Sequence, residues 1–227
     1  MNLFSKTQQK FYSNEGNPPV EGLIPHNIEN LLDVGCGAGS LGRNIKLQNA
    51  QIIIDGITLS QQEASAVSRH YNQVFIHDLE HGLPQVILNE RYDCCVCSHV
   101  LEHIAYPHHL LEDIYRCLKK DGKLIIAIPN LLFYKNRIKL MLGKWEYAES
   151  GLMDYTHVRW YTEHSMLNLL ELSHFKPILF TADGAFPLSI FRKVLPENFI
   201  NWVDKKACRI SPGLFGYQFI FLLQKET

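Results

Sequence analysis

The chain lacks an excess of charge of either sign. Its 227 residues carry 22 Lys and Arg against 23 Asp and Glu, a formal net charge of −1, which leaves no electrostatic footprint for nucleic acid or an anionic membrane. Eleven histidines would turn that balance positive in mild acid. No run approaches the ~18 apolar residues that cross a bilayer, so no membrane span is expected. The opening stretch MNLFSKTQQK has no apolar core of a secretory signal. Cysteine is sparse, six residues in all, mostly in apolar contexts; this points to reduced thiols and a cytoplasmic protein. Cys94, Cys95 and Cys97 lie close together, but no second pair at zinc spacing follows, and strand alternation splits Cys94 from the other two. They read as small buried hydrophobes, and no metal site is expected.

What the chain does have is Leu31-Leu32-Asp33-Val34-Gly35-Cys36-Gly37-Ala38-Gly39-Ser40. This reads as a buried strand, a glycine-rich turn and the start of a helix. Glycine permits positive φ and lets a ligand approach with no Cβ in the way. The following helix aims its N-terminal N–H groups back at the turn. A dinucleotide fingerprint would put its third glycine at position 40, where Ser40 stands; this argues against a nicotinamide oxidoreductase. The pattern D-x-G-x-G-x-G resembles motif I of the class I S-adenosylmethionine-dependent methyltransferases. The resemblance implies that Asp33, Gly35, Cys36, Gly37 and Gly39 hold S-adenosylmethionine, or its product S-adenosylhomocysteine, around the methionine part.

The alternation of strand and helix continues along the chain. A helix over Ser40–Leu47 with Leu41, Ile45 and Leu47 inward leads to a strand over Gln51–Leu59. Ser60-Gln61-Gln62-Glu63 has the spacing of a capping box and starts the next helix. The family pattern Gly-Ile-acid-x-Ser aligns with Gly56-Ile57-Thr58-Leu59-Ser60, so Thr58, with Leu59 beside it, stands where a carboxylate would take the ribose hydroxyls. A neutral partner gives a weaker bond than a charged one. Asp55 would point elsewhere on a regular strand, and Glu63 is an alternative if the loop deviates. The third strand, Val74–His77, is followed by Asp78 and Leu79, which the resemblance places at the adenine. The fourth, Arg91–Ser98, ends at Ser98 and His99, bordering the ligand. Leu101-Glu102-His103 is frequent in this branch, and His103 serves either as structure or as an acceptor contact. Pro107 opens a helix with Leu110, Leu111, Ile114, Tyr115 and Leu118 inward. Asp121-Gly122 ends it, and the fifth strand spans Lys123–Ile128.

Asn17-Pro18-Pro19, Ile128-Pro129-Asn130, Gly143-Lys144-Trp145 and Gly151-Leu152-x-Asp154-x-Thr156-His157-x-Arg159-x-x-Thr162 sharpen the resemblance. They are similar to bacterial methyltransferases of the methionine-biosynthesis protein W group and the ubiquinone-type O-methyltransferases, many linked to surface glycans. The likeness covers about residues 16–182. Residues 131–176 read as a substrate-cap insertion, with a helix over Leu131–Gly143 and another over Glu163–His174 capped by Thr162. His157 is the candidate base for a hydroxyl acceptor, since imidazole titrates near neutrality. Asp154 is its orienting group or a direct acceptor contact. Arg159 is a partner for an acidic acceptor, and Tyr155, Trp160 and Tyr161 form a pocket wall. The competing view makes Asp154, Thr156, His157 and Arg159 a structural network holding the cap.

Strands over Pro177–Ala182 and Gly216–Leu223 close the chain. Phe186–Ile210 reads as a helical excursion, with core packing the default and a homodimer contact or an apolar acceptor pocket the alternatives. The expected architecture is an α/β Rossmann-like class I methyltransferase fold: a seven-stranded, mostly parallel sheet, its last strand antiparallel, with helices on both faces. Residues 1–30 form an arm that covers the domain or leads it in disorder, and 31–227 form one domain. The expected function is metal-free methyl transfer from S-adenosylmethionine to a small-molecule hydroxyl, a surface-glycan or sugar precursor being one candidate. The alternative is an accessory protein acting through a protein partner, motivated by Thr58.

Overall fold

The computed structural model describes residues 16–67, 69–188 and 191–226; the arm before Gly16 lies outside them. The strands are β1 (Asn30–Val34), β2 (Ile53–Thr58), β3 (Gln73–Ile76), β4 (Tyr92–Ser98), β5 (Leu118–Pro129), β6 (Phe175–Gly184) and β7 (Gly216–Lys225). They form one sheet in the order β3-β2-β1-β4-β5-β7-β6. The first five pair in parallel, and β7 runs antiparallel between β5 and β6, as expected. The helices are α1 (Pro18–Glu21), α2 (Ser40–Gln48), α3 (Gln61–Val67), α4 (Pro107–Cys117), α5 (Tyr134–Met141), α6 (Glu163–Glu171), α7 (Glu197–Ile210) and α8 (Pro212–Phe215).

Parallel strands covered on both faces read as apolar runs, and side-chain alternation sorts those runs into two cores. Leu32, Val34, Cys95 and Cys97 pack with Leu110, Leu111 and Ile114 of α4. Leu31, Ile54, Cys94 and Val96 pack with Leu41 and Ile45 of α2 on the other face. The separation of Cys94 from Cys95 and Cys97 therefore holds, and all three are buried free thiols. Leu47, expected inward on α2, is exposed. β5 starts earlier than expected, at Leu118, with a register shift against β4 and Asp121 at φ 61°. α6 ends at Glu171 and is capped as expected: Thr162 Oγ1 accepts from the Ser165 N–H at 3.1 Å, and Ser165 Oγ from the Thr162 N–H at 2.9 Å.

The glycine turn is packed from beneath by one ring. A Cβ on Gly42 would lie 2.4 Å from the Tyr71 ring, and one on Gly56 would lie 2.8 Å from it. At Gly39 a Cβ would come within 2.5 Å of Val67 and 3.1 Å of Tyr71. Tyr71 Oη donates to Asp33 Oδ2 at 2.5 Å and accepts from the Gly42 N–H at 3.1 Å. Asp33 is thus tied to the underside of the turn. Burial raises its carboxyl to about 6, against the opposing effect of the Tyr71 hydrogen bond.

The folded pKa lies above the unfolded one, so the fold gains proton affinity here. That contribution is complete below about pH 4 and is lost as pH rises through 6. Ionised Asp33 then costs the fold roughly 3 kcal/mol. Asp33→Asn is expected to recover about 1–3 kcal/mol at pH 7 and little at pH 4, measured by urea unfolding at the two pH values without ligand. Equal effects at both would contradict a buried, ionising Asp33.

Candidate active site

Parallel register brings the strand ends to one edge. Val34 pairs with Ile57 and with Cys97, Thr58 with Ile76, and Ser98 with Ala127. The chain order reverses between β1 and β4, and open α/β sheets bind ligands in the crevice at such a reversal. On that edge lie the glycine turn, Thr58, Asp78, Ser98 and His99. Gly35, Gly37 and Gly39 all have positive φ, at 78°, 50° and 77°. A Cβ on Gly35 would lie 2.4 Å from Val100, so this glycine also serves packing. Gly35 and Gly37 are partly open to solvent, while Cys36 is buried.

Thr58 is not left without a carboxylate. Its hydroxyl donates to Glu63 Oε2, and Thr58 Oγ1 accepts from the Ser60 N–H at 3.2 Å. Ser60 Oγ caps the Glu63 N–H at 3.3 Å, but Glu63 is drawn to the strand end in place of the reciprocal capping-box bond. Glu63 is buried and lies near enough to Cys36 that, after burial and Asp33, its charge helps push that thiol up. A carboxylate therefore sits between the glycine turn and the end of β2, carried by α3 rather than by the strand. Asp55, by contrast, is held by Tyr92 Oη at 2.8 Å and Arg91 at 3.3 Å, away from this edge. Leu59 is exposed beside Thr58. Asp78 is exposed and accepts from the Glu80 N–H at 3.0 Å, capping a short 3-10 turn, and Leu79 packs on the core.

Across the crevice, His99 has φ 57°, in the left-handed region a non-glycine residue rarely adopts. Its ring is 42 % exposed, with Nδ1 3.3 Å from Glu102 Oε1 and Nε2 3.0 Å from Gln218 Oε1. The Glu102 side chain is only 1 % exposed, and neither carboxylate oxygen has a well-aligned hydrogen bond. Burial pushes Glu102 up, yet the His99 and His103 rings outweigh it and hold the carboxyl below its ordinary value. Burial likewise works against a charged His99, but Glu102 and Gln218 raise the imidazole above its usual range. Gln218 belongs to β7 and also exchanges hydrogen bonds with Asn17, whose amide reaches Ser98 Oγ at 3.3 Å. Neither Asn17 nor Gln218 stands out by type; the one signal for Gln218 is an amide inside the aromatic run Tyr217–Phe221.

The expected catalytic pair is arranged differently. His157 is buried, with Nδ1 on the Leu152 carbonyl at 2.9 Å and Nε2 4.0 Å from Glu102 Oε1. Its burial lowers its pKa, with Glu102 opposing. The orienting group for His157 is thus a backbone carbonyl. Asp154 accepts instead from the Thr156 N–H at 3.0 Å and hydroxyl at 2.8 Å, and Thr156 Oγ1 meets His103 Nδ1 at 3.1 Å. Tyr161 is buried against the core with its hydroxyl on the Leu101 carbonyl, and it lines a surface pocket beside Arg159 and Trp160. Arg159 is exposed, its Nε on the Ala105 carbonyl at 2.7 Å, and Tyr155 is half-buried. The Val158 and Arg159 N–H groups both donate to the Glu102 carbonyl, fastening this segment to the sheet edge. Donor atoms of Glu102, His103 and His157 lie within 4.8 Å of one another, a spacing at which a cation could be held.

Comparison with known proteins agrees with this geometry. The family model described as a methyltransferase domain matches residues 9–179. A ubiquinone biosynthesis O-methyltransferase of Pseudomonas savastanoi pv. phaseolicola is 30 % identical over 109 residues, 44 % of each chain. Its Coxiella burnetii counterpart is 27 % identical over 141 residues, 61 % of this chain and 58 % of that one. The chain thus matches about half the length of these curated relatives. A solved S-adenosylmethionine-dependent methyltransferase of Archaeoglobus fulgidus has the same fold, with a TM-score of 0.65 over 99 % of this chain and all of the other at 18 % identity. With a methyltransferase model over most of its length and the glycine turn at the reversal of its sheet, the chain belongs to the class I S-adenosylmethionine-dependent methyltransferase family.

Proposed function

We propose that this protein methylates a hydroxyl of a small-molecule acceptor, with His99 as the general base. The observation that carries the reading is the His99–Glu102 pair, a half-exposed imidazole backed by a buried carboxylate and set across the crevice from the glycine turn. When bound, S-adenosylmethionine supplies an electrophilic methyl on a sulfonium. The residues present fit it: a positive-φ glycine turn for close approach, and the Thr58–Glu63 pair for the ribose hydroxyls. Glu63 offers the charge-assisted bond that Thr58 alone would lack, which supports cofactor binding over the reading of an accessory, non-binding protein. Asp78 and Leu79 suit the adenine edge, and Ser98 lines the crevice between.

With Nδ1–H aimed at Glu102, the Nε2 of His99 is the nitrogen that receives the acceptor proton, in the place Gln218 Oε1 takes here. The ubiquinone-type relatives, O-methyltransferases by name, support oxygen as the acceptor atom. A surface-glycan or sugar precursor fits the notion of a small hydroxyl acceptor, and Arg159 at the rim suits an acidic group on it. The buried thiols suit a reducing cytoplasm. Among the described residues no helix is long and apolar enough to cross a membrane.

Two experiments test this. Glu63→Ala is expected to weaken S-adenosylhomocysteine binding about tenfold to a hundredfold, and Thr58→Val less, by calorimetric titration; unchanged affinity in Glu63→Ala would remove the carboxylate from the site. The catalytic limb depends on the sign of the His99 shift. The base must be unprotonated, so kcat is expected to rise with pH through a value above the ordinary imidazole range. Glu102→Gln removes the charge that retains the proton, moving this limb toward acid, while His99→Ala lowers kcat about a hundredfold. If His157→Ala abolishes turnover and His99→Ala does not, the base is His157.

A further inference from the structure

The near-neutral total charge conceals a strong asymmetry. Residues 131–150 and 191–210 together hold nine Lys and Arg against four Asp and Glu, while the rest of the chain holds thirteen against nineteen. These two segments contain α5 and α7, and both leave the carboxyl edge of the sheet. α5 follows the end of β5, and α7 joins the end of β6 to the start of β7. They meet through the short α8: Arg137 donates to the Gly213 carbonyl at 3.1 Å, and the rings of Tyr134 and Phe215 are 6.5 Å apart. On the other side of α8, Phe215 packs on Phe186 at 5.0 Å, and the Phe186 N–H donates to Asp204 of α7 at 2.8 Å.

This basic surface is also apolar. α5 buries no residue, and Met141 and Leu142 are 87 % and 67 % exposed. α7 buries Ile200, Ala207 and Cys208. Its opposite face, at positions 199, 202, 206 and 210, presents Phe199, Trp202, Lys206 and Ile210, with Trp202 56 % and Ile210 81 % exposed. Helical spacing thus places a Phe–Trp–Ile stripe, flanked by Lys205 and Arg209, outward. The core-packing default for Phe186–Ile210 holds for Ile200, Ala207 and Cys208 but not for Phe199, Trp202 and Ile210, because the apolar positions fall on more than one side of the helix. Exposed apolar side chains grouped along one helix face mark an interaction site. Aromatic and aliphatic side chains interleaved with Lys and Arg are what a helix lying in a bilayer interface presents: rings at the headgroup level and cations toward anionic lipid. A nucleic acid would use the cations and the rings but has no use for Met141, Leu142 and Ile210.

We propose that α5 and α7 form a docking face for an anionic bilayer surface. The face lies on the edge that carries His99 and Gln218, so docking would turn the mouth of the crevice toward the lipid–water boundary. The proposal does not depend on which atom is methylated.

The test is flotation of the full chain with vesicles of phosphatidylcholine alone or with about a third phosphatidylglycerol, read together with tryptophan fluorescence, since Trp145 and Trp202 are exposed here. Expected is at least about tenfold more protein on the anionic vesicles, released by high salt, with a blue shift of the emission. The double variant Lys205→Glu/Lys206→Glu and the double variant Met141→Ser/Leu142→Ser should each lower this binding several-fold. Their far-UV circular dichroism and S-adenosylhomocysteine binding should stay unchanged. Equal binding to neutral vesicles, or none to anionic ones, would overturn the proposal. So would an RNA that binds through the same lysines in place of vesicles, or a stable dimer in light scattering that the Met141→Ser/Leu142→Ser variant dissolves.

Discussion

The bond from Tyr71 to Asp33 fixes the shape of the ligand edge. The ring fills the space that side chains on Gly39, Gly42 and Gly56 would need, and its hydroxyl spans the end of β1 and the first turn of α2. Two of these glycines are therefore required by a ring beneath the loop, not by a ligand above it. The positive φ at Gly35, Gly37 and Gly39 shapes the upper surface of the same turn. The arrangement keeps a carboxylate buried at a cost in stability and obtains from it a turn that cannot relax toward the core.

A second buried carboxylate organises the opposite wall. The backbone of Glu102 holds the Val158–Arg159 segment, and its side chain faces His99, His103 and His157. Chemistry and architecture meet in one residue: the segment over the sheet edge cannot shift without disturbing the imidazole at the mouth. Of the three rings only His99 is both exposed and within 3.3 Å of the carboxylate, the observation on which the proposed general base rests.

Much of the fold was legible because its signals are local. Strand, glycine turn and helix follow one another within a dozen residues around Gly35, and the apolar runs of β1, β4 and β5 carry their own alternation. The site was less legible because its pairings depend on how the chain turns at the strand ends, even where the partners are near in sequence, as Thr58–Glu63 and His99–Glu102 are. Thr58 was visible as a departure from the family, but Glu63 answers it only once α3 folds back over the end of β2. His157 drew attention as a histidine in a polar, aromatic stretch. Spacing reveals neither its burial nor its contact with the Leu152 carbonyl. The burial of Tyr161 was not legible for the same reason: a segment without periodicity gives no indication of which aromatic turns inward. α7 misled in the opposite sense, since hydropathy does not tell a buried face from an exposed apolar one.

The position of β7 bears on how the molecule comes together. β6 precedes β7 in the chain, yet among the described residues its only neighbour in the sheet is β7. Until residues 216–225 are made, β6 has no strand to pair with and the edge of β5 stays open. Both pairings form in one late event across long sequence separations, the kind of contact that slows folding and leaves an unpaired edge exposed meanwhile. Gln218 arrives with the same strand, so the crevice acquires its amide only when the sheet closes, and an incompletely folded chain carries an incomplete mouth.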